Sequence, residues 1–273
     1  MSKKAVHLDC TLRDGGYYTN WDFSEELIHD YLQSVSAASV GFVELGFRFF
    51  HNEGFKGSCA YTTDEFIDTL EIPKGLKVSI MINANDLIKH KQLVLERLET
   101  LVPRNADNSD VELIRIATHC NDIELILPCF KQLKEKGYKT ACNLMQISQK
   151  SNEELKEISY ILSQSSIDIL YFADSLGSLK PKDITEIINA LKSSWEGPIG
   201  IHAHDNMGLG LVNTLQALND GVSWVDSTIT GMGRGPGNVK TEELILELDH
   251  SNTRNNLVPL LNITGGCGFA NGS

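Results

Sequence analysis

Two histidines, His202 and His204, lie two positions apart in Ile201-His202-Ala203-His204-Asp205-Asn206. Alternate residues of a strand share a face, so both imidazoles can reach one divalent cation at a strand's end. The same spacing also describes a core histidine beside a surface histidine, so the pair gains weight only with a third donor. Two histidines and a carboxylate are a common set for a divalent ion that keeps about three positions open to substrate oxygens and water. Asp14, in Arg13-Asp14-Gly15-Gly16, is the best-placed carboxylate if the chain closes into a ring, because one strand would then separate the first strand from the seventh. A loop carboxylate paired with Arg13 is the alternative. Acidic loop ligands suit Mg²⁺ or Mn²⁺, while histidines favour Mn²⁺, Co²⁺ or Zn²⁺ over Mg²⁺.

The elements that must position these residues can be read from the pattern. Apolar, β-rich runs predict strands over 5–10, 40–45, 77–82, 111–116, 139–144, 167–172, 198–202 and 223–228. Helical patterns follow over 24–38, 63–70, 86–98, 122–136, 151–165, 180–192, 207–219 and 240–249. Ser24 is a fair N-cap, Ser151 with Glu154 makes a capping box, and Pro181 stands early in its helix. Pro128 predicts a kink or break, and the polar stretch 11–20 reads as a loop. Eight strand–helix units over roughly 250 residues fit an α/β fold of the (β/α)8 TIM-barrel type. A doubly wound sheet is the rival, but no switch point is evident. One catalytic domain over 1–273 is expected, with a short glycine-rich tail from about 260.

Composition narrows the function classes. The chain has 273 residues, 41% of them hydrophobic, and a formal charge of -12. Bulk charge of that sign attracts neither nucleic acid nor anionic lipid. The six cysteines form no Cys-x-x-Cys pair, which reads as a reduced, cytoplasmic protein. The N-terminus lacks the apolar core of a signal peptide, and no apolar run is long enough to span a membrane.

In a catalytic barrel, polar residues collect at the C-terminal strand ends, and here they do. Asp9 and Asp14 follow the first strand, Glu44 and Arg48 the second, and Asn83 and Asn85 the third. Arg115 and His119, then Asn143 and Gln146, then Asp174 and Ser175 follow the next three. The last two offer His202, His204 and Asn206, then Asp226 and Thr228. Arg48 and Arg115 could grip a substrate carboxylate or phosphate, or serve as structural ion-pair partners. Asn143 and Thr228 are further candidates for substrate binding. The glycine run 231–237 is neither a P-loop nor a dinucleotide fingerprint. It could cradle an anion or simply make a tight connection at positive φ.

Three motifs in order carry a resemblance: Leu8-Asp9-Cys10-Thr11-Leu12-Arg13-Asp14-Gly15-Gly16, His202-Ala203-His204-Asp205-Asn206 and Gly231-Met232-Gly233-Arg234-Gly235-Pro236-Gly237-Asn238. The chain resembles the pyruvate carboxyltransferase-like barrels, which include hydroxymethylglutaryl-CoA lyase, isopropylmalate and homocitrate synthases and 4-hydroxy-2-oxovalerate aldolase. The resemblance covers nearly the whole chain. It implies metal ligation by Asp14, His202 and His204, with Asn238 a ligand or a neighbour of one, and enolate stabilisation by Arg13. It implies carbon–carbon bond cleavage or formation beside a 2-oxo acid, with Mn²⁺ or Mg²⁺ as cofactor and Co²⁺ or Zn²⁺ as other candidates.

The sequence departs from the aldolases at the base. They carry a histidine three positions after the metal aspartate, where this chain has Tyr17. Tyr17 could donate a proton, and His119 or Glu44 could take the base role. The expected reaction is cleavage of a 4-hydroxy-2-oxo acid to pyruvate and an aldehyde, or its reverse. An acyl-CoA-dependent condensing or lyase reaction is the alternative, and a non-catalytic scaffold barrel is another. The expected partners are small molecules, the 2-oxo acid and the aldehyde. Relatives imply a possible homodimer. The aldolases' C-terminal helical region, which docks on a dehydrogenase, has no counterpart before residue 273, so no channelling partner is expected.

Overall fold

Short runs of Val, Ile, Leu and Phe alternate along the chain with longer amphipathic stretches, and a parallel sheet buried on both faces needs that pattern. The computed structural model describes residues 5–50, 54–89, 93–248 and 253–265. Eight parallel strands close into one barrel in chain order. They are β1 (Val6–Asp9), β2 (Phe42–Phe47), β3 (Lys77–Asn83), β4 (Val111–His119), β5 (Lys139–Met145), β6 (Ile169–Asp174), β7 (Ile199–Ala203) and β8 (Trp224–Ser227). Closure is made by β1 on β8, where Leu8 pairs with Asp226 and Asp9 with Ser227. The fold is a (β/α)8 TIM barrel.

The helices are α1 (Thr11–Thr19), α2 (Glu25–Ala37), α3 (Asp64–Ile67), α4 (Ala84–Ile88), α5 (Val94–Leu101), α6 (Ile123–Glu135), α7 (Asn152–Ser163), α8 (Pro181–Leu191), α9 (Gly210–Asn219), α10 (Thr241–Glu247) and α11 (Thr253–Gly265). The Ser24 cap and the Ser151–Glu154 capping box both form. None of the described helices is long and apolar enough to cross a membrane. The five described cysteines are free; Cys267 and the rest of the glycine-rich end, 266–273, lie outside the described residues.

Four expectations are corrected. The stretch 11–20 is not a loop but carries α1, which starts at the mouth of β1. The Asp9 carboxylate accepts from both the backbone N–H (2.9 Å) and the hydroxyl (2.5 Å) of Thr11, and so secures the start of α1. Helix α6 continues through Pro128, held by the buried Ile126, Cys129, Phe130 and Leu133, so packing outweighs the missing hydrogen bond. The single helix read over 86–98 is two, α4 and α5, flanking residues outside the description. The tail expected from 260 begins inside α11, whose Leu260 and Ile263 are buried.

The barrel interior is layered by strand periodicity. Leu8, Phe42, Leu113, Ala141, Ile169 and Trp224 belong to one apolar cluster. Two positions further along the same strands come Cys10, Glu44, Arg115, Asn143, Tyr171 and Asp226. Residues two apart share a face, so an apolar floor is followed by a polar layer directly beneath the mouth.

Candidate active site

Strand β7 delivers His202 and His204 to the mouth, and α1 swings Asp14 toward them. His202 stands between the other two: its Nε2 is 3.3 Å from Asp14 Oδ2 and 3.2 Å from His204 Nε2. Asp226 Oδ2 lies 3.0 Å from His202 Nδ1. That carboxylate keeps the proton on Nδ1 and leaves Nε2 a lone pair. Burial pushes His202 well below the ordinary imidazole value and His204 in the same direction, against the pull of Asp14. Both are therefore neutral, as ligation requires.

These atoms fit a divalent cation. Ligand bonds of about 2.0–2.2 Å at roughly 90–110° place neighbouring donor atoms about 3.0–3.5 Å apart, the spacing of Asp14 with His202 and of His202 with His204. Cys10, Asp14 and His202 form a buried metal-competent group whose ligand atoms lie within 4.8 Å of one another. Asn238 Nδ2 donates to Asp14 Oδ2 at 2.8 Å, and the Asn238 Oδ1 is buried with no protein partner. The glycine run makes this placement. Gly237 has φ +95°, and a Cβ there would meet the Gly231 carbonyl oxygen at 1.9 Å. The run is thus a tight connection, and its Gly237 carbonyl also accepts from Asp205 N at 2.8 Å.

A closed ring of buried charges underlies the site. Arg115 donates from Nε and Nη2 to Glu44, at 2.7 Å each, and from Nη1 to Asp226 at 2.8 Å. Arg13 donates from Nε to Glu44 at 2.8 Å and from Nη1 to Asp14. Asp14 and Asp226 then meet across His202, which completes the circuit. Burial opposes the charge on Arg13 and Arg115, but the carboxylates outweigh it. Burial likewise raises Glu44, yet Arg115 and Arg13 bring it below its ordinary value. Three carboxylates face two guanidiniums, so the ring has one negative charge in excess, which suits a cation.

Above the ring opens a cavity of about 480 Å³. Arg13, Asp14, Tyr17, His119, Asn143, His202 and His204 line it, together with Arg234. Arg13 Nη2 is buried with no protein partner, a donor left over on a side chain that faces the cavity. The Arg234 guanidinium stacks 3.8 Å over the Tyr17 ring, and burial pushes the Tyr17 phenol up.

Other expected residues stand elsewhere. Glu44 and Arg115 are fully buried in the ring and do not line the cavity. With Glu44 gripped by two arginines, it has no role as a free base there. Arg48 is placed beside α3 and α5, bonded to Asp64 (2.7 Å), Thr62 O (2.9 Å) and Leu101 O (3.0 Å). It is the structural ion-pair partner, not a substrate clamp. Thr228 is buried outside the cavity lining. The sequence reading missed Asp226 as the partner of His202 and Cys10 as the neighbour of Asp14, at 3.6 Å. The spacing from Cys10 to Asp14 would have revealed the second contact had 11–20 been read as helix, since i and i+4 meet there.

The comparisons with known proteins agree with this geometry. The HMGL-like family model matches residues 5–263. The chain is 30% identical over 250 residues to a 4-hydroxy-2-oxovalerate aldolase from Geobacillus genomosp. 3, covering 91% of this chain and 72% of that one. A namesake from Brevibacillus brevis is 31% identical over 250 residues, with 91% and 71% covered. The crystallised N-terminal domain of a candidate aldolase from Bacteroides vulgatus superposes with a TM-score of 0.80 at 30% identity, over 95% of this chain and 85% of that one. Hydroxymethylglutaryl-CoA lyase from Pseudomonas aeruginosa shares the fold, with a TM-score of 0.76 at 18% identity over 100% and 96% of the two chains. A match across the whole barrel and a metal-competent cluster at its mouth lead to one conclusion: this chain belongs to the HMGL-like family of barrel enzymes.

Proposed function

We propose that the protein is a divalent-metal-dependent aldolase that makes or breaks the C3–C4 bond of a 4-hydroxy-2-oxo acid, with pyruvate as one product. The observation that carries this reading is the unpartnered Arg13 Nη2, on a side chain bonded to Asp14, beside the metal-competent group of Cys10, Asp14 and His202, with His204 Nε2 3.2 Å from His202 Nε2. A carbonyl oxygen placed there meets a hydrogen-bond donor where negative charge develops on enolisation. None of the described lining residues is a lysine, so no amine stands ready for Schiff-base chemistry, the other common route to the same carbanion.

Asp14, His202 and His204 are the residues to hold the cation, with Asn238 beside them. A divalent cation bound there supplies Lewis-acid polarisation of the substrate's keto oxygen. We favour Mn²⁺ or Mg²⁺; the imidazole pair and Cys10 nearby also admit Co²⁺ or Zn²⁺. The chain's own groups do the remaining work. Asp226 holds His202 in one tautomer, and Arg13, fixed on two sides by Glu44 and Asp14, directs its third nitrogen at the enolate oxygen. His119 is the imidazole of the cavity left over after the two ligands, and imidazole is the usual proton-transfer group in catalysis. We assign it the proton of the C4 hydroxyl. Tyr17, with its phenol held high and stacked by Arg234, is suited to donate rather than accept.

The test is exchange of the pyruvate C3 protons in D₂O, followed by NMR. Exchange should need added Mn²⁺ or Mg²⁺ and should vanish in Asp14→Asn. Bound metal without exchange would sink the reading.

A further inference from the structure

The cavity's charged groups come from α1, β7 and the glycine run: Arg13, Asp14, His202, His204 and Arg234. The opposite wall, fed by β3 to β6 and the β7 loop, is different. It presents carboxamides and a hydroxyl from Asn83, Asn85, Asn143, Gln146, Ser175 and Asn206 beside the apolar side chains of Met81, Met145 and Leu176, and among the described lining residues of this wall only His119 ionises. Asn143 is 4% exposed, and its Oδ1 has no protein partner. Gln146 is held in the left-handed region at φ 53° while its N–H donates to Ser175 Oγ at 3.0 Å. Each carboxamide offers donors and an acceptor together.

We propose that the aldehyde half of the substrate is polyhydroxylated, so that the full substrate is a 3-deoxy-2-oxo sugar acid with hydroxyls at C5 and beyond. This rests on the pyruvate-aldolase reading above and names the other half of its substrate. Hydroxyls match carboxamides in both directions, whereas a hydrocarbon chain leaves the buried Asn143 Oδ1 unpaired. The cavity's 480 Å³ falls within the roughly 300–1,000 Å³ of sites that enclose extended small molecules, which leaves room beyond pyruvate and acetaldehyde. Among the described lining residues, an anionic tail has one rim cation to meet, Arg234, and that guanidinium is already stacked on Tyr17. In the condensation, pyruvate C3 gives up a proton and attacks the aldehyde carbon. The C3–C4 bond forms, and the former aldehyde oxygen takes a proton as the C4 hydroxyl. No oxidant or reductant enters.

The experiment uses the Mn²⁺-loaded protein with pyruvate and length-matched aldehydes: glyceraldehyde against propanal, erythrose against butanal. Condensation is followed by NMR, beside pyruvate C3 exchange without aldehyde. The expected kcat/KM favours each hydroxylated member by at least about tenfold. Asn143→Leu should shrink that ratio, and Gln146→Leu is the second variant should the first fail to fold. A preference for propanal and butanal, or equal use, with exchange intact overturns the sugar-acid proposal and leaves the aldolase reading standing. Condensation with acyl-CoA alone overturns it too, and absence of exchange overturns both.

Discussion

The two walls of the cavity differ in the kind of bonding that holds them. On the charged side, the lining residues Arg13, Asp14 and His202 are tied through Glu44, Arg115 and Asp226 beneath them into a circuit of ion pairs. On the neutral side, Asn143 keeps an unpaired buried carbonyl oxygen. A circuit of mutual ion pairs fixes geometry before any substrate arrives, and that is how a site stabilises charge without reorganising. A wall with unspent hydrogen-bonding capacity waits for a ligand and discriminates between ligands.

That contrast can be broken first at Arg115. Arg115→Met leaves Glu44 with Arg13 alone and Asp226 with His202 alone, and removing one member of a buried ion pair costs about 3–5 kcal/mol. Urea unfolding should show a loss of that size; a loss below about 1 kcal/mol would mean the ring is not coupled.

Asp226→Asn is next. It removes the carboxylate that fixes the His202 tautomer, and loss of such a partner lowers metal affinity by about 10–100-fold. Competition against a chelator reads this directly. Unchanged affinity would mean that His202 is oriented by packing alone.

Acidification separates the imidazoles from the ring. Below pH 6.5, the ordinary imidazole value, the unfolded chain takes up protons at His202 and His204 that the buried site resists. Stability of the metal-free protein should be full above that pH and fall as pH drops through the lower folded values. Glu44 has the lowered pKa of a paired carboxylate, so its contribution holds until pH falls below 4.5 and is lost below that. Urea midpoints measured at stepped pH should therefore decline in the histidine range first. A flat profile down to that carboxylate range would contradict it.

The smallest effect is expected at the neutral wall. Asn143→Leu replaces a buried amide that has an unpaired oxygen, so stability should shift by less than about 1 kcal/mol. A loss as large as that at Arg115 would show that the two walls are not different in kind.

Much of this was legible in the chain. Eight short β-rich runs, each followed by a helical pattern, determine a barrel because a parallel strand must be covered on both faces. His202 and His204 were readable as a pair because strand periodicity is local. Asp14, Arg13, His119 and Asn143 were readable because barrel chemistry collects at strand ends. What the sequence left open turned on contacts between elements distant along the chain. Helix α1 contains Gly15 and Gly16 and forms against their low helix propensity, with the Trp21 ring packed where a Cβ on Gly16 would sit, at 2.0 Å. Arg48 and Arg115 look alike as arginines near strand ends. The tertiary structure sends one to Asp64 and seals the other between Glu44 and Asp226, because a buried guanidinium must find carboxylates wherever the fold places them. The sequence alone determined which residues could do chemistry and on which strands they stand. Only the closed barrel decided which of them meet, because β1 and β8 become neighbours only when the sheet closes.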